Sequence, residues 1–492
     1  MRLLEGVSLF PHQMKAVKFC TSRDASLVCF TTGSGKSLIN IATGLYLTNT
    51  KIDKFLIVVT ASSIIELAGD FKKFTDGEPM FVKTVEDLEA FAKSDCNIGL
   101  VQYTWLNNFV EFKESINGRV YCKALPEVEK VFNLYVFGIS YDEVHTLKNY
   151  KSKVSKAARA LRKHIRCCYG FTATPLTREL MDVYYVAETI HPGWFPSYNS
   201  FCSKYLKMYK MGNIKKIYGY KNLDKLNEEL GGLMITYFPK KKINFIKHTC
   251  NLTKVDEYEQ AAMGLFENDE DVGTLDDLED GDEGFEEKTF SARLVDLQYI
   301  VDEDPAKHEK FMSVINSSLS TGVIVYCAYH RSIAVVESIL DSQGIEYMKI
   351  TGAQNTKARQ NAKDWFNSSP QNKVLILSKA GGQSLNLQAC PTFVFYETPQ
   401  NPASLLQALG RVVRIGSAYD EFFIHFIIVE DTVDQYKYDF VSQNKEVFEK
   451  VMNNNTLPKS DALSGYNTFI IDKLKKKYLW NRNEKNTLRR KF

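Results

Sequence analysis

Eight consecutive residues, Phe30-Thr31-Thr32-Gly33-Ser34-Gly35-Lys36-Ser37, restrict what this chain can fold into more than any other stretch. The apolar run Ser26-Leu27-Val28-Cys29-Phe30 before them has the length and branching of a short buried strand. Leu38-Ile39-Asn40-Ile41-Ala42 after them opens a helix. Strand, glycine loop and helix in that order make a phosphate cradle, because loop amides and the helix N-terminus point at an anion. The spacing assigns Thr32, Gly33, Ser34 and Gly35 to the loop and Lys36 to the β- and γ-phosphates of ATP. The Ser37 hydroxyl is placed on Mg²⁺. One departure stands out: Phe30 occupies the position of the first glycine in G-x-x-x-x-G-K-[ST]. Alone, G-S-G-K-S is compatible with a chance turn; its strand-to-helix context favours the nucleotide.

A chain of 492 residues can build two or three full cores. No apolar run reaches the length of a membrane span and the first residues lack a signal core, so no membrane partner is expected. The ten cysteines include no C-x-x-C pair, which points to reduced intracellular protein without a zinc site or disulfide frame. The formal charge of +3 hides an asymmetry. Between Glu267 and Glu287 lie twelve acidic residues and no Lys or Arg; without them the charge would be +15. That block has too few apolar anchors to fold, so it is expected to be a disordered linker, either a solvated spacer or a competitor for a basic cleft. The basic remainder suits a polyanion partner as well as it suits an ordinary lysine-rich surface.

Along the chain, Phe10-Pro11-His12-Gln13 offers a glutamine amide that matches the donor and acceptor of adenine, or else a polar helix start. Phe55-Leu56-Ile57-Val58-Val59 is a buried strand ending in Thr60-Ala61-Ser62-Ser63. Thr60 and Ser62 are candidates for a nucleic acid phosphate, or for capping the helix that follows through Phe74. Asn97 to Tyr103 gives a further strand, with a helix starting at Thr104. Leu134 to Tyr141 gives another and ends in Asp142-Glu143-Val144-His145. A carboxylate at a strand tip about a hundred residues after the phosphate loop suits Mg²⁺, so Asp142 is assigned to the metal and Glu143 to the attacking water. Arg166 to Phe171 leads into Thr172-Ala173-Thr174-Pro175; with His145, Thr172 and Thr174 are assigned to coupling the acids to a second lobe.

The phosphate loop, D-E-V-H and T-A-T-P, in that order, resemble the first RecA-type lobe of a superfamily 2 helicase. Asp142 to Ser152 is similar to the D-E-x-H-x-x-K-N-x-x-S of Snf2-like translocases, which implicates Lys148 and Asn149 in DNA contact. Lys379-Ala380-Gly381-Gly382-Gln383-Ser384-Leu385-Asn386-Leu387 resembles that family's A-G-G-x-G-L-N-L loop, with Ser384 at its third glycine. Lys379, Gly381, Gly382 and Asn386 are therefore candidate DNA contacts. Gln407-Ala408-Leu409-Gly410-Arg411-Val412-Val413-Arg414-Ile415-Gly416 completes the set. Arg411 and Arg414, three apart, would project from one face of a helical turn as arginine fingers, with Gln407 beside them.

The resemblance implies an α/β chain of two tandem RecA-like lobes with central parallel sheets and a small helical accessory insertion. The expected division is 1–190 for lobe 1, 191–245 for the insertion, 246–290 for a linker, 291–452 for lobe 2 and 453–492 for a basic tail. Trp194 to Lys221 interleaves aromatics with six lysines, either a strand-tracking surface or an amphipathic helix pair with an aromatic core. Thr432 to Met452 is expected to be a long closing helix. The tail from Lys473 carries nine Lys or Arg with Tyr478 and Trp480, an expected non-specific DNA arm or nuclear address. The implied activity is that of an ATP- and Mg²⁺-dependent DNA translocase of 3′→5′ polarity acting on duplex, forked or branched DNA in recombination, repair or replication. It is expected to be a monomer in the cytoplasm of a bacterium or phage-infected cell. A DExH RNA helicase and a nucleotide-gated DNA clamp are the alternatives.

Overall fold

Branched apolar strands alternate with amphipathic helices through most of the sequence, a pattern that favours parallel sheets covered on both faces. The computed structural model describes residues 1–31, 33–114, 120–173, 180–211, 214–237, 241–266, 290–378, 387, 389–400, 402–413, 417–442 and 466–480. Thr32, Thr174, Lys379, Gly381, Gly382, Asn386, Arg414 and the acidic block 267–287 lie outside them, as does the Gln407 side chain. The described residues divide into two units, up to 237 and from 241 onward.

The first unit runs α1 (Pro11–Thr21), β1 (Ala25–Phe30), α2 (Lys36–Thr48), β2 (Lys54–Val59), α3 (Ile64–Phe74), β3 (Met80–Phe81), α4 (Val85–Lys93) and β4 (Ile98–Gln102). It continues β5 (Val110–Glu114), β6 (Val120–Ala124), α5 (Pro126–Leu134), β7 (Phe137–Asp142), α6 (Lys153–Arg162), β8 (Cys167–Thr172) and α7 (Met181–Ile190). It closes with α8 (Tyr198–Tyr205), β9 (Leu206–Met211), β10 (Ile214–Tyr220), α9 (Leu223–Gly231) and β11 (Met234–Tyr237). Seven parallel strands order as β11-β1-β8-β7-β2-β4-β3. β1, β2 and β8 are buried along their whole length, as strands of a parallel sheet covered on both faces are.

Two segments depart from expectation. In place of a helix from Thr104, a 3₁₀ segment Tyr103–Phe109 leads into the antiparallel hairpin β5–β6. The region 191–245, expected to be helical, holds the antiparallel hairpin β9–β10 and returns through β11 to pair with β1. Of its aromatics, Phe195, Phe201 and Tyr205 are buried, with ring centroids of Phe195 and Phe201 4.9 Å apart. Those rings form a core rather than a surface for a strand to track.

The second unit runs β12 (Lys242–Cys250), α10 (Val255–Gly264), α11 (Phe290–Asp302), α12 (Pro305–Ser318), β13 (Val323–Cys327), α13 (His330–Ser342), β14 (Glu346–Ile350), α14 (Thr356–Ser368) and β15 (Lys373–Ser378). β16 (Thr392–Phe395), α15 (Pro402–Leu409), β17 (Glu421–Val429), α16 (433–442) and α17 (Tyr466–Lys475) complete it. Its six strands are all parallel in the order β12-β17-β16-β13-β15-β14. Residues 246–264, expected as linker, thus supply the second half of an edge strand and a helix. Lys242-Ile243-Asn244-Phe245-Ile246 alternates only weakly, as an edge strand exposed on one side does. The start of the basic tail is a docked helix: Ile470 and Leu474 are fully buried against Tyr258, Leu297 and Val433.

Candidate nucleotide-hydrolysis site

The phosphate loop joins β1 to α2 as its sequence demands. Gly33 and Gly35 have φ of +75° and +80°, the left-handed region that a glycine enters without strain. Gly35 is the N-cap of α2 and contributes no capping side chain, so the first amides of the helix face the loop. A Cβ on Gly35 would overlap the Gln13 amide nitrogen. That nitrogen donates to the Ser34 carbonyl at 3.2 Å, and Gln13 Oε1 accepts the Phe10 N–H at 2.9 Å. Gln13 is buried and braces the loop from α1. Lys36 Nζ donates to the carbonyls of Phe30 and Thr31 at 3.0 and 3.3 Å, holding the ammonium against its own loop. The hydroxyls of Thr31 and Ser34 are buried and make no hydrogen bond among the described residues, so their protons suit phosphate oxygens.

Strand order brings the acids close. β8 lies between β1 and β7, so Thr172, at the end of β8, comes between the phosphate loop and Asp142. Gly170 in β8 lets the turn after β7 close down, since a Cβ there would stand 3.0 Å from Val144. Glu143 takes φ +49° and ψ +51°, a conformation that costs a non-glycine residue about 1–3 kcal/mol and occurs at functional sites. Glu143 Oε2 lies 3.3 Å from His145 Nδ1 and accepts from the Thr172 hydroxyl at 3.5 Å. His145 Nδ1 is in turn 3.0 Å from Thr172 Oγ1. Glu143, His145 and Thr172 therefore form one hydrogen-bonded triangle at the carboxyl edge of the sheet, where open α/β sheets hold their ligands.

Burial, and then the charge of Glu143, raise the Asp142 carboxyl to about 7, a rise that Lys36 only partly opposes. A carboxylate so costly to ionise is a place where a divalent cation is stabilising. Ser37 and Asp142 are hard oxygen donors of the kind Mg²⁺ takes, so the residues present fit that ion.

Sequence reasoning missed three contributors. Tyr103 donates its hydroxyl to the Asp142 carbonyl at 2.7 Å from a segment with no motif. The Asp70 carboxyl is pushed up by burial and by Glu66, a rise that the neighbouring Ser37 opposes. Tyr237, the last residue of β11, stacks on His12 at 4.1 Å, and His12 lies parallel to Phe10 at 5.8 Å. The F-P-H-Q stretch could have signalled half of that stack; β11 is too far along the chain to signal the rest.

Elsewhere placements are mixed. Thr60 Oγ1 bonds the hydroxyls of Ser62 and Ser63 at 3.0 and 2.9 Å, and none of these side chains caps α3. Lys148 ends a 3₁₀ turn, and Asn149 Oδ1 accepts the Lys151 N–H at 3.0 Å. In the second unit α15 ends at Leu409, so Arg411 lies past the helix in a tightened turn, its N–H donating to the Ala408 carbonyl at 3.2 Å. Buried Val412 and Val413 pull that turn into the core, and the Arg411 carbonyl accepts the Leu387 N–H at 3.1 Å. No shared helical face for Arg411 and Arg414 follows from the described residues.

Residues 12–260 match the family described as SNF2-related domain, and residues 306–416 match the helicase conserved C-terminal domain. An uncharacterized ATP-dependent helicase, YqhH, of Bacillus subtilis is 22% identical over 483 residues, covering 91% of this chain and 80% of that protein. The DNA repair and recombination protein RAD54B of Gallus gallus is 25% identical over 491 residues, covering 83% of this chain and 50% of that one. Other curated relatives are likewise longer: the chain spans 37% of a Mycoplasma pneumoniae helicase. A solved Sulfolobus solfataricus SWI2/SNF2 ATPase core in complex with dsDNA is 20% identical, covering 92% of this chain and 96% of that one, with a TM-score of 0.39.

Proposed function

Because the chain belongs to the SNF2-related family of ATP-dependent helicases, we propose that it is an ATP-driven translocase on duplex or branched DNA, remodelling forks or junctions or displacing bound proteins. The observation that supports this best is the triangle of Glu143, His145 and Thr172, which joins the water-activating acid to the strand tip leading toward the rest of the motor. In this proposal the loop amides, Lys36 and the Ser34 hydroxyl bind the phosphates, and Gln13 with the neighbouring rings meets the base. Ser37 and Asp142 hold Mg²⁺, which when bound neutralises charge on the phosphate oxygens. Glu143 orients water and accepts its proton. Arg411 and Arg414 stabilise the charge that develops on the γ-phosphate, an effect of roughly 10³–10⁵ in rate for such fingers. Thr60, Ser62, Lys148, Asn149 and the 379–387 loop are assigned to the DNA backbone.

The test is the ATPase rate measured side by side with duplex DNA, forked DNA, single-stranded DNA and RNA. The proposal expects the greatest stimulation by duplex or forked DNA. Stimulation by RNA alone would transfer the chain to the RNA-helicase reading. DNA binding without turnover would leave a nucleotide-gated clamp.

A further inference from the structure

The carboxyl edge of the second sheet buries an unusual number of charges. Asp302, Asp304, Lys307, Glu397, Asp434 and Lys437 are each no more than 2% exposed. Lys307 Nζ lies 2.8 Å from Asp302 and 2.6 Å from Asp434, and Gln298 donates to the same two acids at 2.7 and 2.8 Å. Lys437 donates to Gln298 Oε1 at 2.6 Å. These contacts satisfy one another. Glu397 is different, because it stands in one strand-to-helix connection and its bonds run to another.

Glu397 follows β16 by two residues. Its Oε2 accepts the N–H groups of Ala328 and Tyr329 at 2.5 and 3.4 Å, at the entrance of α13. Tyr329, the N-cap of that helix, supplies no side-chain cap, so a carboxyl from 69 positions along the chain caps it instead. Glu397 Oε1 is 2.5 Å from Ser332 Oγ, which is also 2.7 Å from Asp302 Oδ2. A hydroxyl carries one proton and cannot donate to both acids. The second short contact therefore needs a proton on a carboxyl. The Lys307 ammonium, with hydrogen bonds from Ser332 and Glu397, holds Asp302 below the usual range in spite of its burial. Burial and the Asp302 charge together lift Glu397 well above it, so the proton resides on Glu397.

The loop that Glu397 begins leads directly into α15 and the Arg411 turn. Gln400 ties the same loop to the Tyr329 hydroxyl at 3.1 Å. Tyr326, at the end of β13, lies in the field of both Glu397 and Arg411. We propose that Glu397, as a neutral carboxylic acid, is a positioning residue for Arg411: it clamps the β16–α15 connection onto the entrance of α13 and so fixes where the guanidinium stands. Losing the proton would set a second buried anion beside Asp302 and loosen the clamp. The charged and titratable groups around Glu397 are Asp302 on α11, Lys307 on α12, Asp434 and Lys437 on α16, Tyr326 and Cys327 on β13, and Tyr299, Tyr329 and Tyr396. Lys437 and Lys307 offset part of the cost of the anion, and Asp302 and Asp434 add to it.

This proposal rests on the ATPase reading, and its test separates the two. DNA-stimulated ATPase is measured on the full chain and on Glu397→Gln, Glu397→Ala, Arg411→Ala and Glu397→Ala/Arg411→Ala from pH 6.5 to 9.5, with KM for ATP and kcat determined apart. Wild type that lacks DNA-stimulated turnover defeats the ATPase reading, whatever the variants do. Given turnover, the amide of Glu397→Gln copies the neutral acid, keeps kcat within about twofold and abolishes the alkaline decline of the wild type. Glu397→Ala lowers kcat roughly tenfold to a hundredfold, as misplacement by about an ångström does, with KM little changed. The double variant falls no further than Arg411→Ala. Either of two results overturns the clamp: Glu397→Gln retaining the alkaline decline, or multiplicative losses in the double variant. If Glu397→Ala does not fold, the pH profile of Glu397→Gln decides alone.

Discussion

Replacing Lys307 by methionine removes an ammonium in contact with both Asp302 and Asp434 while keeping most of its volume. Lys307 is fully buried and lies 2.8 and 2.6 Å from the two carboxylates, which are themselves no more than 1% exposed. Burial works against its charge, but the two acids overcome that and lift its pKa. Breaking a buried ion pair from one side costs about 3–5 kcal/mol, because the remaining charge has neither water nor partner. For a unit of this size, with roughly 2–4 °C of Tm per kcal/mol, the second transition should fall by roughly 6–20 °C. The pH dependence has a definite sign. Without Lys307, Asp302 and Asp434 have raised pKa values in the folded variant, so they contribute stability as neutral acids and lose it as pH rises through those values. The gap between variant and wild type should therefore widen from pH 5 to pH 8. Thermal unfolding followed by near-UV circular dichroism on the full chain measures it. Adding Asp434→Asn should recover part of the loss. A fall below about 3 °C, or a gap that narrows with rising pH, would refute this account of the buried cluster.

Four other outcomes are expected. Glu143→Gln should lower kcat by roughly 10² or more while still binding ATP, as read by equilibrium binding of a fluorescent nucleotide; retained turnover would remove Glu143 from the base role. Lys36→Ala should abolish turnover and weaken nucleotide binding in the same assay. Gly35→Ala sets a side chain at φ +80° against the Gln13 amide. The cost of about 1–2 kcal/mol for that backbone, with about 1 kcal/mol for the Gln13 bond, should raise the ATP dissociation constant at least tenfold. His145→Ala opens the triangle to Thr172, so DNA stimulation should fall severalfold while DNA-independent hydrolysis is largely kept.

The central strands β1, β2, β4, β7 and β8 were legible because each is a short apolar run bounded by turn residues, and parallel strands need little more. The ends of β1 and β7 were legible as chemistry for a similar reason: G-S-G-K-S and D-E-V-H are local arrangements, complete within a few residues. Where the code was not local, expectation failed. β11 and β12 are short or weakly alternating edge strands, and only pairing with β1 and β17 gives them their conformation. Arg411 lies past Leu409, where α15 ends, in a turn whose N–H groups still reach three or four residues back, and Arg414 lies outside the described residues. The tail was read by its charge from Lys473 onward, which passed over Phe469, Ile470 and Leu474, apolar residues at helical spacing that belong to cores.

The sequence alone determined that a glycine loop and a pair of adjacent acids stand at strand ends, since strand–loop–helix geometry follows from contiguous residues. Tertiary structure alone decided that Thr172 lies between them, that Tyr103 holds the Asp142 carbonyl, and that Glu397 lies buried on the Ser332 hydroxyl that Asp302 shares. Those facts depend on strand order and on burial, which groups distant along the chain establish only when they meet out of water.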